Sequence, residues 1–118
     1  MPTLVENQFF TLIIEFEVAP EQQQALIDGI ADEVERRFKH YDGFVSASFH
    51  ASEDGRRVIN YAQWTSRDAW AASGRTSDDD EASAAILEVI KRCGARPARE
   101  KVDFFRVARV IEKENNKP

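Results

Sequence analysis

One seven-residue stretch combines an amide with aromatic rings in a pattern that suits chemistry on an aromatic molecule. It reads Val-Ile-Asn-Tyr-Ala-Gln-Trp over residues 58–64. Because side chains alternate across a strand, Asn60 and Trp64 share one face with Val58 and Ala62. An uncharged amide beside an indole ring can orient a flat polycyclic ligand through a hydrogen bond. The alternative interpretation is that the Asn60 amide only satisfies a neighbouring backbone group.

The rest of the composition excludes several kinds of chemistry. The 118 residues include one Cys and two His, too few for an internal disulfide and a poor set of zinc ligands. The sequence contains neither of the common Gly-rich phosphate loops. The formal net charge of −5 disfavours nucleic acid as a partner. From the poor set of metal ligands and the missing phosphate loops, we expect no metal and no cofactor. The sequence also has neither a signal-peptide pattern nor a run of roughly 20 apolar residues, so we expect a soluble cytoplasmic protein.

The elements in the first half of the chain position this stretch. Phe9–Val18 is rich in β-branched and aromatic residues and apolar on both parities, which predicts a strand covered on both faces. Glu21–Lys39 repeats apolar residues at spacings of three and four, which predicts an amphipathic helix. Two β-rich runs, Phe44–Ala51 and Arg57–Trp64, flank an Asp-Gly turn and predict a hairpin.

The second half predicts two more helices and a strand. Ser66 is placed to cap a short helix. A polar loop over 74–79 precedes a helix at about Asp80–Arg92, whose first turn carries acidic residues that complement the helix dipole. Pro97 marks a loop, and Lys101–Ile111 reads as the last strand.

These elements form a single domain over residues 9–111, between a lead-in at 1–8 and a polar tail at 112–118. Their order is β-α-β-β-(α)-α-β, with the short helix in parentheses, which is typical of the ferredoxin-like split β-α-β arrangement of an α+β protein. Helices cover one face of such a sheet, and an apolar second face needs a partner. The simplest partner is a second copy, so we expect a homodimer with two-fold symmetry.

Three short motifs together carry a resemblance to a known family. Residues 64–70 read Trp-Thr-Ser-Arg-Asp-Ala-Trp, a hairpin end followed by a Ser-Arg helix start and an aromatic residue. Tyr41-Asp42-Gly43-Phe44 leads into the second strand, and Phe16–Glu21 joins the first strand to its helix. Over about residues 9–111 these features resemble the antibiotic biosynthesis monooxygenase family, which implies a dimeric α+β barrel.

The resemblance implies a cofactor-free monooxygenase that oxidises an anthrone-like aromatic polyketide with molecular oxygen. It also implies active-site roles for an Asn and a Trp at the positions of Asn60 and Trp64. Because a phenolic substrate anion can itself reduce oxygen, the protein need only bind and stabilise that anion. Asn60 would donate to the substrate oxygen, and Trp64 would orient the rings or bond the oxygen adduct through its indole N–H.

The walls of the pocket should come from the core between sheet and helices, where this fold opens its pocket. We therefore expect substrate to contact some of six large apolar residues: Phe38, Phe49, Trp70, Ile86, Ile90 and Phe104. The strand parity of Phe49 and Phe104 stays open at this point.

Two positions depart from the family pattern. The first strand reads Ile13-Ile14-Glu15-Phe16 where anthrone oxygenases often carry an Asn, which makes Glu15 a candidate base. Residues 72–75 lack the His that haem-degrading members use, so haem degradation is disfavoured. Two other functions stay open: a flavin-assisted oxygenase that opens or rearranges quinone rings, and a non-catalytic barrel that binds small molecules.

Overall fold

Five strands and three α-helices make up the part of the chain that the computed structural model describes, which is residues 9–72, 81–98 and 103–114. In chain order these are β1 (Phe10–Glu17), α1 (Gln23–Arg37, preceded by a 3₁₀ turn at Pro20–Gln22), β2 (Phe44–Ala51), β3 (Arg57–Trp64), α2 (Arg67–Ala72), α3 (Glu81–Arg92), β4 (Arg96–Pro97) and β5 (Asp103–Arg106).

The central strand of the sheet is β1. The strand order is β2-β3-β1-β4, and β5 also pairs with β1. Every pairing is antiparallel. This order, with two helical connections, is the ferredoxin-like α+β fold, so the predicted fold class is confirmed.

The hydrophobic core lies between one face of the sheet and helices α1 and α3. Leu26, Ile30 and Val34 recur every four residues along α1, and all three are buried. They pack with apolar residues of α3 and with every second residue of β1 and β3. The helices approach closely at Gly29, where an added Cβ would lie 2.5 Å from the Val89 side chain.

The hairpin of β2 and β3 has the predicted bounds. Gly55 in its turn has a φ of 79°, a left-handed conformation that glycine adopts readily. The pairing shifts between Phe44 and Ser46, because Phe44 lies opposite Trp64 while Ser46 lies opposite Gln63. A bulge of this kind adds one residue and inverts the alternation of side chains. Phe44 therefore lies on the face of Trp64.

Two predicted elements differ from the structure. Pro97, predicted as a loop, belongs to β4 and pairs with Phe16. A proline is tolerated there because β4 is a two-residue strand at the edge of the sheet. Within the predicted last strand, Lys101–Ile111, the structure describes β5 over Asp103–Arg106. β5 ends at Arg106 because that residue pairs with Phe10, which is the first residue of β1.

Several predictions concern residues outside the described ranges. They are the lead-in at 1–8, the polar loop at 74–79, the start of the third helix at Asp80, the first two residues of the predicted last strand, and the end of the polar tail. The domain bounds stay a prediction. Among the described residues, no helix has the length and apolar character needed to cross a membrane.

Candidate functional site

Asn60 lies in the middle of β3 and faces the helix-covered side of the sheet. It pairs with Ile14 of β1 and Phe49 of β2. The residue is 5% exposed, and its Oδ1 atom has no hydrogen-bond partner among the described residues. Leaving a buried acceptor unpaired costs about 1–3 kcal/mol. That oxygen is therefore not tied to the backbone, and a 180° turn of the amide would present its two N–H donors instead.

Two other buried polar atoms also lack a hydrogen-bond partner in the described part of the chain, and Asn60 differs from them in the sheet face on which it lies. The two atoms are Thr11 Oγ1 and Gln63 Nε2. Thr11 and Gln63 lie opposite each other in the sheet, one residue out of phase with Asn60. They therefore face the second side of the sheet. Among these three, Asn60 is the residue that faces the helices.

Trp64, at the end of β3, is held by a set of rings that we call the inner aromatic cluster: Trp64, Phe38, Tyr41 and Phe44. The indole lies 6.3 Å from the ring centroids of both Phe38 and Tyr41, and 5.4 Å from that of Phe44. Phe38 and Phe44 meet it nearly edge-on, at 75° and 81°. Because Trp64 and Phe38 are 2% and 1% exposed, the indole has little freedom to move.

A second group of rings, the outer aromatic cluster, consists of Phe10, Trp70 and Phe104. The three ring centroids are 5.1 to 5.7 Å apart. Phe10 lies directly opposite Trp64 in the sheet, and Phe104 lies opposite Leu12 on the same face. The outer cluster therefore continues the helix-covered face beyond the inner cluster. Phe10 is not among the predicted site residues. Strand alternation predicts the face on which it lies, but only the pairing register shows that Trp64 is its partner.

Helix α2 brings Trp70 to this place through two local features. Ser66 Oγ accepts a hydrogen bond from the Ala69 backbone N–H at 3.0 Å, which is the predicted cap. Gly43 packs directly against Ala69, and a Cβ added to that glycine would overlap the Ala69 methyl group. The chain before β2 therefore sets the position of α2.

The floor between Asn60 and Trp64 is built from small side chains. Four residues separate these two, which is about 13 Å at ~3.3 Å per residue. Between them Ala62 lies opposite Ala47 of β2. All three β3 residues are buried, and Ala62 and Trp64 belong to the same core as Leu26, Ile30 and Val34 of α1.

A cavity of about 260 Å³ lies beside this floor, between α1 and β2, and is lined by Ala31, Val34, Glu35, Lys39, Phe44, Ala47 and Phe49. It reaches Ala47 and Phe49, the strand partners of Ala62 and Asn60, but its described lining does not include Asn60 or Trp64. Its volume is just below the range of small-molecule pockets, and most of its lining is apolar. Lys39 and Glu35 form an ion pair at 3.3 Å, so the charges that it contains compensate each other.

The structure places the six residues predicted to bind substrate at the cavity, in the two aromatic clusters and in the core. Phe49 lines the cavity and lies opposite Asn60. Phe38 belongs to the inner cluster, and Trp70 and Phe104 belong to the outer cluster. The other two, Ile86 and Ile90, are buried in the core and do not line this cavity.

The structure does not support Glu15 as a base near Asn60. Glu15 pairs with Ile59, one residue out of phase with Asn60, so it faces the second side of the sheet. There its carboxylate lies 3.7 Å from Arg57. Both strand partners of Asn60, Ile14 and Phe49, are apolar.

Comparison with known proteins agrees with this fold. The family model for antibiotic biosynthesis monooxygenase matches residues 9–85. Tetracenomycin-F1 monooxygenase of Streptomyces glaucescens is 53% identical over 57 residues, which are 48% of this chain and 51% of that protein. The chain thus spans about half the length of this curated relative.

Solved structures extend the similarity over most of the chain. The monooxygenase from the gene ActVA-Orf6 of Streptomyces coelicolor, crystallised with nanaomycin D, superposes with a TM-score of 0.72 and 28% identity, covering 90% of this chain and 93% of that one. SnoaB, a cofactor-independent oxygenase from Streptomyces nogalater, shares the fold at a TM-score of 0.64 and 16% identity, over 90% and 99% of the two chains. Because the family model matches well over half of the residues, the chain belongs to the antibiotic biosynthesis monooxygenase family.

Proposed function

We propose that this protein is a cofactor-free monooxygenase that oxidises an aromatic polyketide of the anthrone type with molecular oxygen. The observation that carries the proposal is the buried, unpaired amide oxygen of Asn60 on the same sheet face as the inner aromatic cluster. Further support comes from the tetracenomycin-F1 monooxygenase and from the ActVA-Orf6 monooxygenase bound to nanaomycin D.

In this mechanism the substrate lies along β3 and Asn60 stabilises its anion. The amide N–H₂ donates to the substrate oxygen on which negative charge develops when a ring C–H loses its proton. Preorganised donors of this kind act strongly in a site from which water is excluded. Since the strand partners of Asn60 are apolar, the low pKa of the substrate's own C–H must supply most of the driving force.

Oxygen then reacts with the bound anion without help from another redox group. The carbanion gives one electron to O₂, the two radicals combine, and the resulting peroxide takes up a proton. Loss of water leaves a ketone, so one oxygen atom enters the product and the other leaves as water. Trp64 forms a fixed wall for the rings, and the apolar surroundings protect the peroxide from water.

The test is oxygen uptake with an anthrone and two variants of the site. We expect Asn60→Ala to lower kcat by about 10²-fold or more, as removal of an oxyanion donor does. Trp64→Phe should lower it less, because the ring remains but the indole N–H is lost. Glu53→Gln, at an exposed position of the hairpin turn, is the matched control. Wild-type uptake by both site variants would contradict the proposal.

The same assay separates the two other functions. Uptake that requires added reduced flavin would indicate the quinone-opening class of oxygenase. Binding of flat aromatic compounds without any oxygen uptake would indicate a non-catalytic binding protein. Both outcomes are measured on the wild-type chain before any variant is made.

We also propose that a second copy of the chain covers the second face of the sheet. Ile13 and Tyr61 lie opposite each other there, with Ile59 on the same face. All three are half-buried, and Phe105, also on this face, is 47% exposed. An apolar patch of this kind is typical of an interface, and two-fold pairing of identical patches closes it.

Light scattering of the purified protein tests this dimer. Tyr61→Arg should halve the measured mass, because it places a charge in the middle of the apolar patch. Leu87→Arg is the control, since Leu87 is a 52% exposed residue of α3, away from the sheet. A wild-type mass equal to that of one chain would contradict the dimer.

A further inference from the structure

An arginine lies against the outer aromatic cluster, and nothing in the proposed mechanism uses it. Arg67 is the first residue of α2. Its guanidinium carbon lies 4.9 Å from the ring centroid of Phe104 and 5.8 Å from that of Phe10. Two aromatic faces therefore hold one cation in place, which is a favourable arrangement for a guanidinium group.

Within the described part of the chain, the charge of Arg67 has no ion-pair partner. Among the residues that the structure describes, none places a carboxylate within 4.0 Å of its guanidinium group. Some other cations are paired: Lys39 with Glu35 at the cavity, and Arg96 with Glu17 at 2.7 Å. A guanidinium group stacked on a ring keeps its N–H donors in its own plane, directed past the ring edge. Those donors can bind an anion.

The position of Arg67 relative to Asn60 limits what that anion can be. Arg67 contacts Phe10, which lies opposite Trp64, and Trp64 is about 13 Å along the strand from Asn60. A charge at that distance does little for the oxygen that Asn60 contacts. It can act on a substituent at the other end of the same substrate.

We propose that Arg67 is a specificity-determining residue that binds a carboxylate on the substrate, at the end remote from Asn60. This inference rests on the proposed function, because it takes the substrate to be a flat polycycle lying along β3. A carboxylate is the group that matches a planar guanidinium with two parallel N–H···O bonds. The rings of Phe10 and Phe104 behind the guanidinium keep it oriented for that pairing.

Binding of a stable product analogue tests Arg67 without requiring turnover. An anthraquinone carboxylate and its neutral methyl ester are titrated into the protein, and quenching of the fluorescence of Trp64 and Trp70 gives each Kd. The wild-type protein should prefer the acid over the ester. In Arg67→Gln that preference should fall about tenfold, since a charge-assisted pair is lost at a partly exposed site.

Two further variants make the result specific. Arg67→Lys keeps the charge but loses the planar fork, so it should retain only part of the preference for the acid. Arg36→Gln is the control, because Arg36 is an exposed arginine of α1 paired with Glu33. It should leave the ratio of the two Kd values at the wild-type level. The preference should also weaken as salt is added, because the site is exposed.

The carboxylate site at Arg67 and the proposed function are contradicted by different results. No preference for the acid in the wild type, or equal weakening of acid and ester in Arg67→Gln, would show that Arg67 is only part of the wall. An acid preference that depends on Arg67, together with no oxygen uptake from any anthrone, would support the carboxylate site and overturn the monooxygenase proposal.

Discussion

The two aromatic clusters lie side by side on one sheet face, but their most buried rings differ in exposure. Tyr41, at the edge of the inner cluster, is 41% exposed, so the contrast is between the Trp64–Phe38 pair and the rings of the outer cluster. In the inner cluster, Trp64 and Phe38 are almost wholly buried and meet edge to face. In the outer cluster, Phe104 is 38% exposed and a cation rests on its ring. Dense packing fixes a side chain in one rotamer, whereas a partly exposed ring can adjust to a ligand. The comparison indicates that the inner cluster sets geometry and the outer cluster recognises substrate.

Truncation of one ring in each cluster is the strongest test of this comparison. Phe38→Ala should lower the free energy of unfolding by about 3–5 kcal/mol, the usual loss for a buried phenylalanine. Phe104→Ala should lower it by about 1 kcal/mol, because less apolar area is buried there, while weakening binding of a flat aromatic ligand. Urea unfolding and fluorescence titration measure the two effects. Equal losses of stability would remove the distinction between the clusters.

A smaller effect on stability is expected at Gly43, which precedes Phe44 of the inner cluster and contacts Ala69 of α2, the helix that carries Trp70. A methyl group there would overlap Ala69 and displace α2, which carries both Trp70 and Arg67. Overpacking of this kind costs about 1–3 kcal/mol. Gly43→Ala should therefore reduce stability modestly and weaken the preference for a carboxylate ligand.

Ala69→Gly offers the reciprocal check on that contact. It removes the methyl group that Gly43 packs against, so the double variant should recover part of the carboxylate preference that Gly43→Ala loses. Gly43→Ala with the full wild-type preference would show that this contact does not position the outer cluster.

The smallest effect is expected in the hairpin turn, remote from both clusters. Asp54 accepts hydrogen bonds from the Arg56 backbone N–H at 2.9 Å and from the Ser52 hydroxyl at 2.7 Å, which lower the pKa of its carboxyl group. Because the folded pKa lies below the unfolded value, the stabilisation is present above the unfolded pKa and is lost as pH falls through the folded one.

Ser52→Ala removes one of those donors and should raise the pKa of Asp54 toward its ordinary value of 3.8. Carboxyl chemical shifts followed by NMR over an acid titration measure the change. Ligand binding at the outer cluster should stay at the wild-type level, which makes this variant a reference for a purely local change. An unaltered pKa would show that the Arg56 N–H alone holds the carboxylate.

Local patterns of the sequence predicted much of this site. Alternation along β3 placed Asn60 and Trp64 on one face, and the structure finds both buried on the helix-covered side. The hairpin bounds and the Ser66 cap were also predicted correctly, because turn and capping chemistry depends on residues close in the chain.

Errors arose where a partner strand decided the outcome. The family resemblance suggested Glu15 as a candidate base, but the register of β1 against β3 places it on the face away from Asn60. The bulge after Phe44 moves that ring onto the face of Trp64, against simple alternation. The described part of the last strand ends at Arg106, earlier than its composition suggested, because that residue pairs with Phe10, where β1 begins.

By itself, the sequence determined the order of the elements other than β4, the fold class and the face that carries Asn60 and Trp64, because periodicity and turn chemistry act over a few residues. Only the tertiary structure decided that Phe10 lies opposite Trp64, that Phe104 joins it from the far end of the chain, and that Arg67 rests on both rings. The reason is that these contacts join four separate segments. Their geometry depends on strand register and helix packing, which no local pattern specifies.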